Sequence, residues 1–450
     1  MSICEFKMLR LISLSLLILV LVGCASHGTI QNRPQAVLPK NPVYSMIDIL
    51  RSRPDSDLSI IMSFSGGGTR ASALSYGVLL ELRDTVVSIN GKPQRLLDYV
   101  NVISSVSGGS FTAAYYGLFG DKIFDDFADK FLRADIEVEL VQGLIKPSRW
   151  LSGKERTQMA VEYYQEKLFG NATFADMRRP NAPMVLLNAS DLSTGTRFSF
   201  VQEYFDLLCA PIDSYPVAKA VAASSAVPLV FNPVVIENHK GCNAREFQKL
   251  FSQTKLKHTN SQVLLAAKDL EKIVEMKDKY RYLHLVDGGI TDNLGLRSFF
   301  EIIELYGGIK PFMDKIGYRK TDNSVVIVVD ASTDAVHGIA ERNDEPSIDQ
   351  AVNAMSDIQL HRYNASTLEL MRGSMQRWNS ELSSQGQASK LHFIEVGLKR
   401  SFSKERQEYF NKIPTSFTLT SEQVDALIAA GRESLRNSKS FQKLIRSLKK

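Results

Sequence analysis

Apolar residues fall along this chain in short runs that stop at glycine, serine or aspartate, and most runs lead into a stretch with helical spacing. The first run, Leu58-Ser59-Ile60-Ile61-Met62-Ser63-Phe64, stops at Ser65-Gly66-Gly67-Gly68. A short apolar run closed by glycines predicts a buried strand. From Ala71 to Leu82 the apolar positions (Ala73, Leu74, Leu79, Leu80, with Gly77) recur as on one face of a helix. The pattern repeats at 99–106, where a strand leads through Ser107-Gly108-Gly109 into a helix around Phe111 to Tyr116. Further strands are predicted at Met184–Asn188, Leu283–Val286, Ser324–Asp330 and Leu391–Val396. Asp191 to Thr196 is turn chemistry, and Arg197-Phe198-Ser199-Phe200 alternates after it, which predicts a hairpin. Val217 to Ala226 reads as a small-residue helix stopped by Val227-Pro228. Thr420-Ser421-Glu422-Gln423 is a capping box for a helix over about 421–435. Residues 122–170 look mostly helical. Residues 238–280, polar and rich in lysine, read as a surface insertion with a helix near 262–277. Strands that alternate with helices predict an α/β fold with a mainly parallel sheet.

The N-terminus breaks this pattern. Lys7 and Arg10 precede the apolar stretch Leu11 to Val22. About 12 residues is short for a membrane span of about 20 and fits the apolar core of a secretory signal. The stretch ends in Leu21-Val22-Gly23-Cys24, which resembles a bacterial lipobox. The resemblance implies cleavage before Cys24 and a cysteine carrying two or three acyl chains, enough for stable anchoring. An ordinary signal with a chance cysteine is the plainer alternative. Ala25, rather than aspartate, follows the cysteine, and by resemblance to sorted lipoproteins this implies the outer membrane of a bacterial cell envelope. The expected division is a signal at 1–23, a polar tether at 24–45, a main domain at 46–335 and a C-terminal extension at 336–450. After cleavage only Cys209 and Cys242 remain besides Cys24. In an oxidising compartment they can form a disulfide, with two buried thiols as the alternative.

Composition narrows the class. The chain has 450 residues, 44% hydrophobic and 23% charged, which suits one large core or two moderate ones. A net charge of +5, from 54 basic and 49 acidic residues, is too balanced to argue for nucleic acid. Lys439, Lys443, Arg446, Lys449 and Lys450 crowd the end of the chain, as a solvated helix face or as a contact for anionic lipid headgroups.

Ser107 is the leading chemical candidate. A serine between a strand and a helix, flanked by small residues, has the setting of a nucleophile elbow. Ser104, Ser105 and Ser110 are rivals, but none has a glycine two residues on. Gly66-Gly67-Gly68 opens a helix and offers backbone N–H groups to a phosphate or an oxyanion. A phosphate loop of the Walker type needs Gly-Lys-Ser/Thr, and Gly68-Thr69-Arg70 lacks it. Arg70 is a candidate for orienting substrate, or for closing the loop. A base is also needed. Of seven histidines none stands at an obvious strand end between glycines, and His284 is the nearest candidate. Asp287-Gly288-Gly289 does end a strand. A carboxylate there can act as base directly if burial raises its pKa. No cluster with metal-ligand spacing is present, and neither a metal nor a cofactor is expected.

Taken in order, Ser65-Gly-Gly-Gly-Thr-Arg70, Ser105-Val-Ser107-Gly-Gly109 and Asp287-Gly-Gly289 resemble the patatin-like phospholipase family. Asn188-Ala-Ser-Asp191-Leu-Ser-Thr-Gly195 is similar to a family hairpin. Ala222-Ala-Ser224-Ser-Ala226-Val-Pro228 is similar to its small-residue helix and proline turn. The resemblance covers roughly residues 57–335. It implies a three-layer fold with a central, mainly parallel sheet flanked by helices, and a mixed C-terminal extension beyond it. It implies Ser107 as nucleophile, Asp287 as general base, and Gly66, Gly67 and Gly68 as the oxyanion loop. The implied partners are a phospholipid membrane and a lipid ester substrate. Ser105 stands where the family usually has glycine, which leaves an inactive lipid-binding relative as the alternative to an enzyme. An acyltransferase or thioesterase on the same dyad is a further alternative.

Overall fold

The computed structural model describes residues 28–30, 32–35, 43–54, 56–89, 91–136, 155–228, 230–242, 261–317, 323–334, 339, 343–384, 390–399 and 401–448. The expected signal sequence, Cys24 and part of the tether lie outside the described residues. Eight strands form the main sheet: β1 (Leu58–Phe64), β2 (Val100–Val106), β3 (Met184–Asp191), β4 (Arg197–Ser199), β5 (Val234–Glu237), β6 (Tyr282–Asp287), β7 (Asn323–Asp330) and β8 (Lys390–Gly397). Their order is β8-β7-β1-β2-β3-β6-β5, with β4 paired to β3. The five strands from β8 to β3 are parallel. β6 runs antiparallel to β3, and β5 antiparallel to β6. This is the mainly parallel α/β sheet that the alternating pattern predicts. The inner strands β1 and β7 are buried at almost every residue, as strands covered on both faces must be.

The register brings three segments to one edge. Phe64 pairs with Ser105, so the glycine run after β1 leaves the sheet beside Ser107. Val106 pairs with Asn188, and the next residue of β3, Ala189, pairs with Asp287. β3 runs past the end of β2, and β6 descends along that overhang. The antiparallel strand therefore ends at the level where the parallel ones do.

The helices include α1 (Gly68–Asp84), α2 (Gly108–Phe119), α3 (Val217–Ser224), α4 (Ser261–Glu275), α5 (Arg297–Leu305), α6 (Ile348–Ser384) and α7 (Ser421–Asn437), with others between them and a last one at Lys439–Leu448. Thr420 and Gln423 form the expected capping box of α7. The described residues beyond 336 are built into the main body rather than appended to it. β8 extends the parallel sheet, and α7 lies against α1. The two helices touch backbone to backbone at Gly77 and Gly431, where a Cβ on either would strike a carbonyl of the other helix. Arg432 and Arg436 then pair with Glu81, at 3.2 and 2.6 Å.

Two details depart from the sequence expectations. Part of the stretch expected as a free tether is docked. The Asn32 amide donates to Glu237 O (2.6 Å) and accepts from its N–H (3.0 Å), and Gln35 N–H donates to Cys209 O at 2.8 Å. A small hairpin, Val86–Ile89 with Lys92–Arg95, has too little apolar alternation to be legible. Cys209 and Cys242 are bridged, with Cα atoms 5.4 Å apart. Among the described residues no helix is long and apolar enough to cross a membrane.

Candidate active site

Ser107 joins β2 to α2 with φ 50° and ψ −123°. A side chain at positive φ is strained and persists only where packing over-determines it. The packing here is tight. A Cβ on Gly108 would strike Gly68 O, and one on Gly109 would lie 2.7 Å from Phe64 Cβ and Ser65 O. Only glycine fits at either position, because the loop after β1 passes directly over the start of α2. Ser105 is fully buried, and its hydroxyl donates to Leu186 O at 3.2 Å. The turn thus accommodates serine in place of the family's glycine.

The Ser107 hydroxyl donates to Asp287 Oδ2 at 2.6 Å. The Gly289 N–H donates to the other carboxylate oxygen, Oδ1, at 2.7 Å. Asp287 is buried, and loss of water pushes its pKa up to about 6, while its two hydrogen bonds pull the other way. Among the described residues no histidine bonds either side chain. His284, the nearest candidate, is exposed on β6. The rival serines are committed elsewhere. Ser104 Oγ pairs with Ser298 Oγ at 2.9 Å, and Ser110 Oγ with Ser105 and Ser224.

Ser224, at the end of α3, ties the two halves together. Its hydroxyl accepts the Ser107 N–H (3.0 Å) and donates to Asn188 O (2.6 Å). Its carbonyl accepts the Gly288 N–H at 3.1 Å, and Ala226 O accepts the Asp287 N–H at 2.9 Å. Asn188 continues the network, with its amide donating to Ser104 Oγ (2.8 Å) and Ser105 O (3.0 Å). Sequence reasoning assigned neither residue a role. Both stand in the stretches that resemble the family, but nothing in their spacing reveals which bonds they make.

The glycine loop corrects one expectation. Gly66 does not offer its N–H to a ligand, because that group donates to Asn293 O at 2.9 Å. Gly67 and Gly68 sit at φ 134° and 59°, conformations that suit glycine. Among the described residues no acceptor bonds the N–H of either, and Gly68 begins α1, whose dipole adds positive potential there. Arg70 is a second correction. It is buried, and three of its donors are taken by Ala331 O (2.9 Å), Ile413 O (2.6 Å) and Thr415 Oγ1 (3.0 Å). Burial lowers its pKa to about 10, against the opposing pull of the Asp357 and Asp330 carboxylates. Of its two expected roles, closing the loop is the one its bonds perform. They do so through carbonyl and hydroxyl oxygens rather than a salt bridge.

The sequence over residues 62–300, from β1 through the Ser107 elbow and the Asp287 turn into α5, matches the family model of the patatin-like phospholipases. The chain belongs to the patatin-like phospholipase family. No curated protein matches it. Among solved structures it is similar to human GIVD cytosolic phospholipase A2, at 12% identity and a TM-score of 0.44, covering 89% of this chain and 64% of that one. The same enzyme in complex with methyl gamma-linolenyl fluorophosphonate matches at 11% identity and a TM-score of 0.40, covering 89% and 61%. The chain thus spans less than two thirds of the length of these structures.

Proposed function

We propose that this patatin-like protein is a lipid acyl hydrolase that cleaves carboxylic esters of phospholipids or lysophospholipids. The observation that carries the reading is the 2.6 Å bond from the Ser107 hydroxyl to Asp287 at a strained elbow beside the N–H groups of Gly67 and Gly68. In the first step Asp287 takes the hydroxyl proton as Ser107 Oγ bonds the ester carbonyl carbon. The carbonyl oxygen becomes an oxyanion facing the Gly67 and Gly68 N–H groups, which are oriented beforehand. The ester C–O bond then breaks, and the proton passes from Asp287 to the leaving alcohol. Water attacks the acyl-serine, Asp287 takes its proton, and the fatty acid leaves as that proton returns to Ser107. A carboxylate with a pKa of about 6 suits this role, since it is ionised at neutral pH yet more basic than an exposed aspartate.

The reading includes an anchor at Cys24, supported by the lipobox-like Leu21-Val22-Gly23-Cys24, with the outer membrane of a bacterial envelope as the site of action. An anchored hydrolase meets its substrate in two dimensions, at high effective concentration. The experiment is fatty-acid release from phospholipid vesicles by wild type and Ser107→Ala, together with labelling by a fluorophosphonate. Release and labelling are both expected to vanish in the variant, and undiminished release would remove Ser107 from the mechanism.

A further inference from the structure

Between Asn411 and α7 a short segment of the C-terminal region crosses the glycine loop. It lies outside the residues matched by the family model. Ser416 O accepts the Thr69 N–H at 2.9 Å, and Phe417 O accepts the Thr69 hydroxyl at 2.8 Å. Ile413 O and Thr415 Oγ1 accept two of the Arg70 bonds, at 2.6 and 3.0 Å. The Ser416 backbone lies so close to Gly68 that a Cβ there would strike its carbonyl oxygen. The Phe417 ring packs edge-on against Phe111 of the elbow helix α2, with centroids 6.2 Å apart. It also packs against Phe231 beyond α3, at 5.9 Å. The same segment therefore contacts the loop, the elbow helix and the chain that follows α3.

A run of three glycines has more conformational freedom than any other tripeptide, and an oxyanion hole works only if its donors are already aimed. Gly67 and Gly68 have no side chains with which to fix themselves. The two residues that follow them, Thr69 and Arg70, are both bonded to residues 413–417. We propose that this segment is the positioning clamp of the oxyanion loop, with Thr415, Ser416 and Phe417 acting through Thr69 and Arg70 rather than touching the substrate. The proposal rests on the acyl-hydrolase reading for its kinetic consequence, though not for its structural one.

The test uses the full chain with Thr415→Val, which removes one Arg70 acceptor, and Thr69→Val, which removes the bond to Phe417 O while keeping the Thr69 N–H. Thr69→Ser, which restores the hydroxyl, is the rescue control. With a short soluble ester, kcat is expected to fall by about tenfold in each valine variant at little change in KM, scaled down from the hundredfold or more seen when a donor is removed outright. The inhibition constant of a trifluoromethyl ketone, which forms the tetrahedral adduct, is expected to rise in proportion. Thr69→Ser is expected to recover both. Amide hydrogen exchange is expected to quicken over residues 65–70 in the valine variants. Wild-type kcat and unchanged exchange would overturn the clamp. So would a loss of melting temperature with the ketone constant unmoved. If wild type neither hydrolyses esters nor takes up fluorophosphonate, the hydrolase reading fails, and exchange over residues 65–70 alone decides whether the segment holds the loop.

Discussion

The Ser107 hydroxyl and the Asp287 carboxylate meet at 2.6 Å, and they do so although their strands run in opposite directions. The geometry leaves no room for a histidine between them, so on the proposed reading the proton moves straight to a carboxylate.

A pH dependence follows. Asp287 must be ionised to accept the proton, and burial holds its pKa at about 6. Activity on a soluble ester is expected to be flat above neutrality and to fall about tenfold per unit below that pKa. A histidine base would give a similar limb, so the deciding measurement is the profile with Asp287→Asn. That variant is expected to lose activity at every pH, whereas His284→Ala keeps the wild-type profile.

The same shift has an opposite consequence for stability. An aspartate whose folded-state pKa rises from 3.8 to about 6 binds its proton more tightly in the folded protein than in the unfolded chain. Its contribution is full below about pH 4 and is lost as pH rises through 6. Asp287→Asn is therefore expected to be as stable as wild type or more so at pH 8, by up to ~3 kcal/mol for a shift of that size, and to lose this advantage at pH 4. Asp292, whose pKa burial also raises to about 6, is present in both proteins and cancels in the comparison. Thermal melts at the two pH values check it, and the reverse order would contradict it.

The parts legible in the sequence are those that a local pattern dictates. Apolar runs closed by glycine mark β1 and β2, and the capping residues Thr420 and Gln423 mark α7. Ser107 and Asp287 stood out because each ends a strand before glycines. The bonds that take Gly66 out of the oxyanion loop, and that decide between the two roles of Arg70, are illegible for one reason. The groups of these two residues are consumed by Asn293 and by residues 413–415, which lie more than two hundred positions away, and no local pattern encodes that approach. The role of residues 336–450 was hidden likewise, because strand pairing with β7 and the Gly77–Gly431 contact exist only in three dimensions.

Ser224 offers a third prediction. Its hydroxyl holds the Ser107 N–H, and its carbonyl holds the Gly288 N–H beside Asp287. Ser224→Ala leaves a buried N–H and the Asn188 carbonyl without that partner, at a cost of about 1–3 kcal/mol. It also frees the elbow to shift. On the proposed reading kcat is expected to fall by about tenfold to a hundredfold, as small misplacements of reacting groups do, with KM little changed. Ser224→Thr, which keeps the hydroxyl, is the control. An alanine variant with the wild-type kcat would show that the elbow holds its geometry without this bond.

The Cys209–Cys242 bridge supports the last prediction. It closes a loop of 33 residues that contains α3, with Ser224 at its end, and β5 at the margin of the sheet. Linking the ends of such a loop restricts the unfolded chain and typically contributes about 2–4 kcal/mol. Cys242→Ser is therefore expected to lower the melting temperature by several degrees and to abolish the sensitivity of the melt to a reductant. Neither sulfur touches Ser107 or Asp287, so activity at room temperature is expected to survive the substitution and to fail only as the temperature approaches the lowered melt. An immediate loss of kcat at room temperature, with the fold intact, would instead mean that the bridge holds α3, and through Ser224 the dyad, in register.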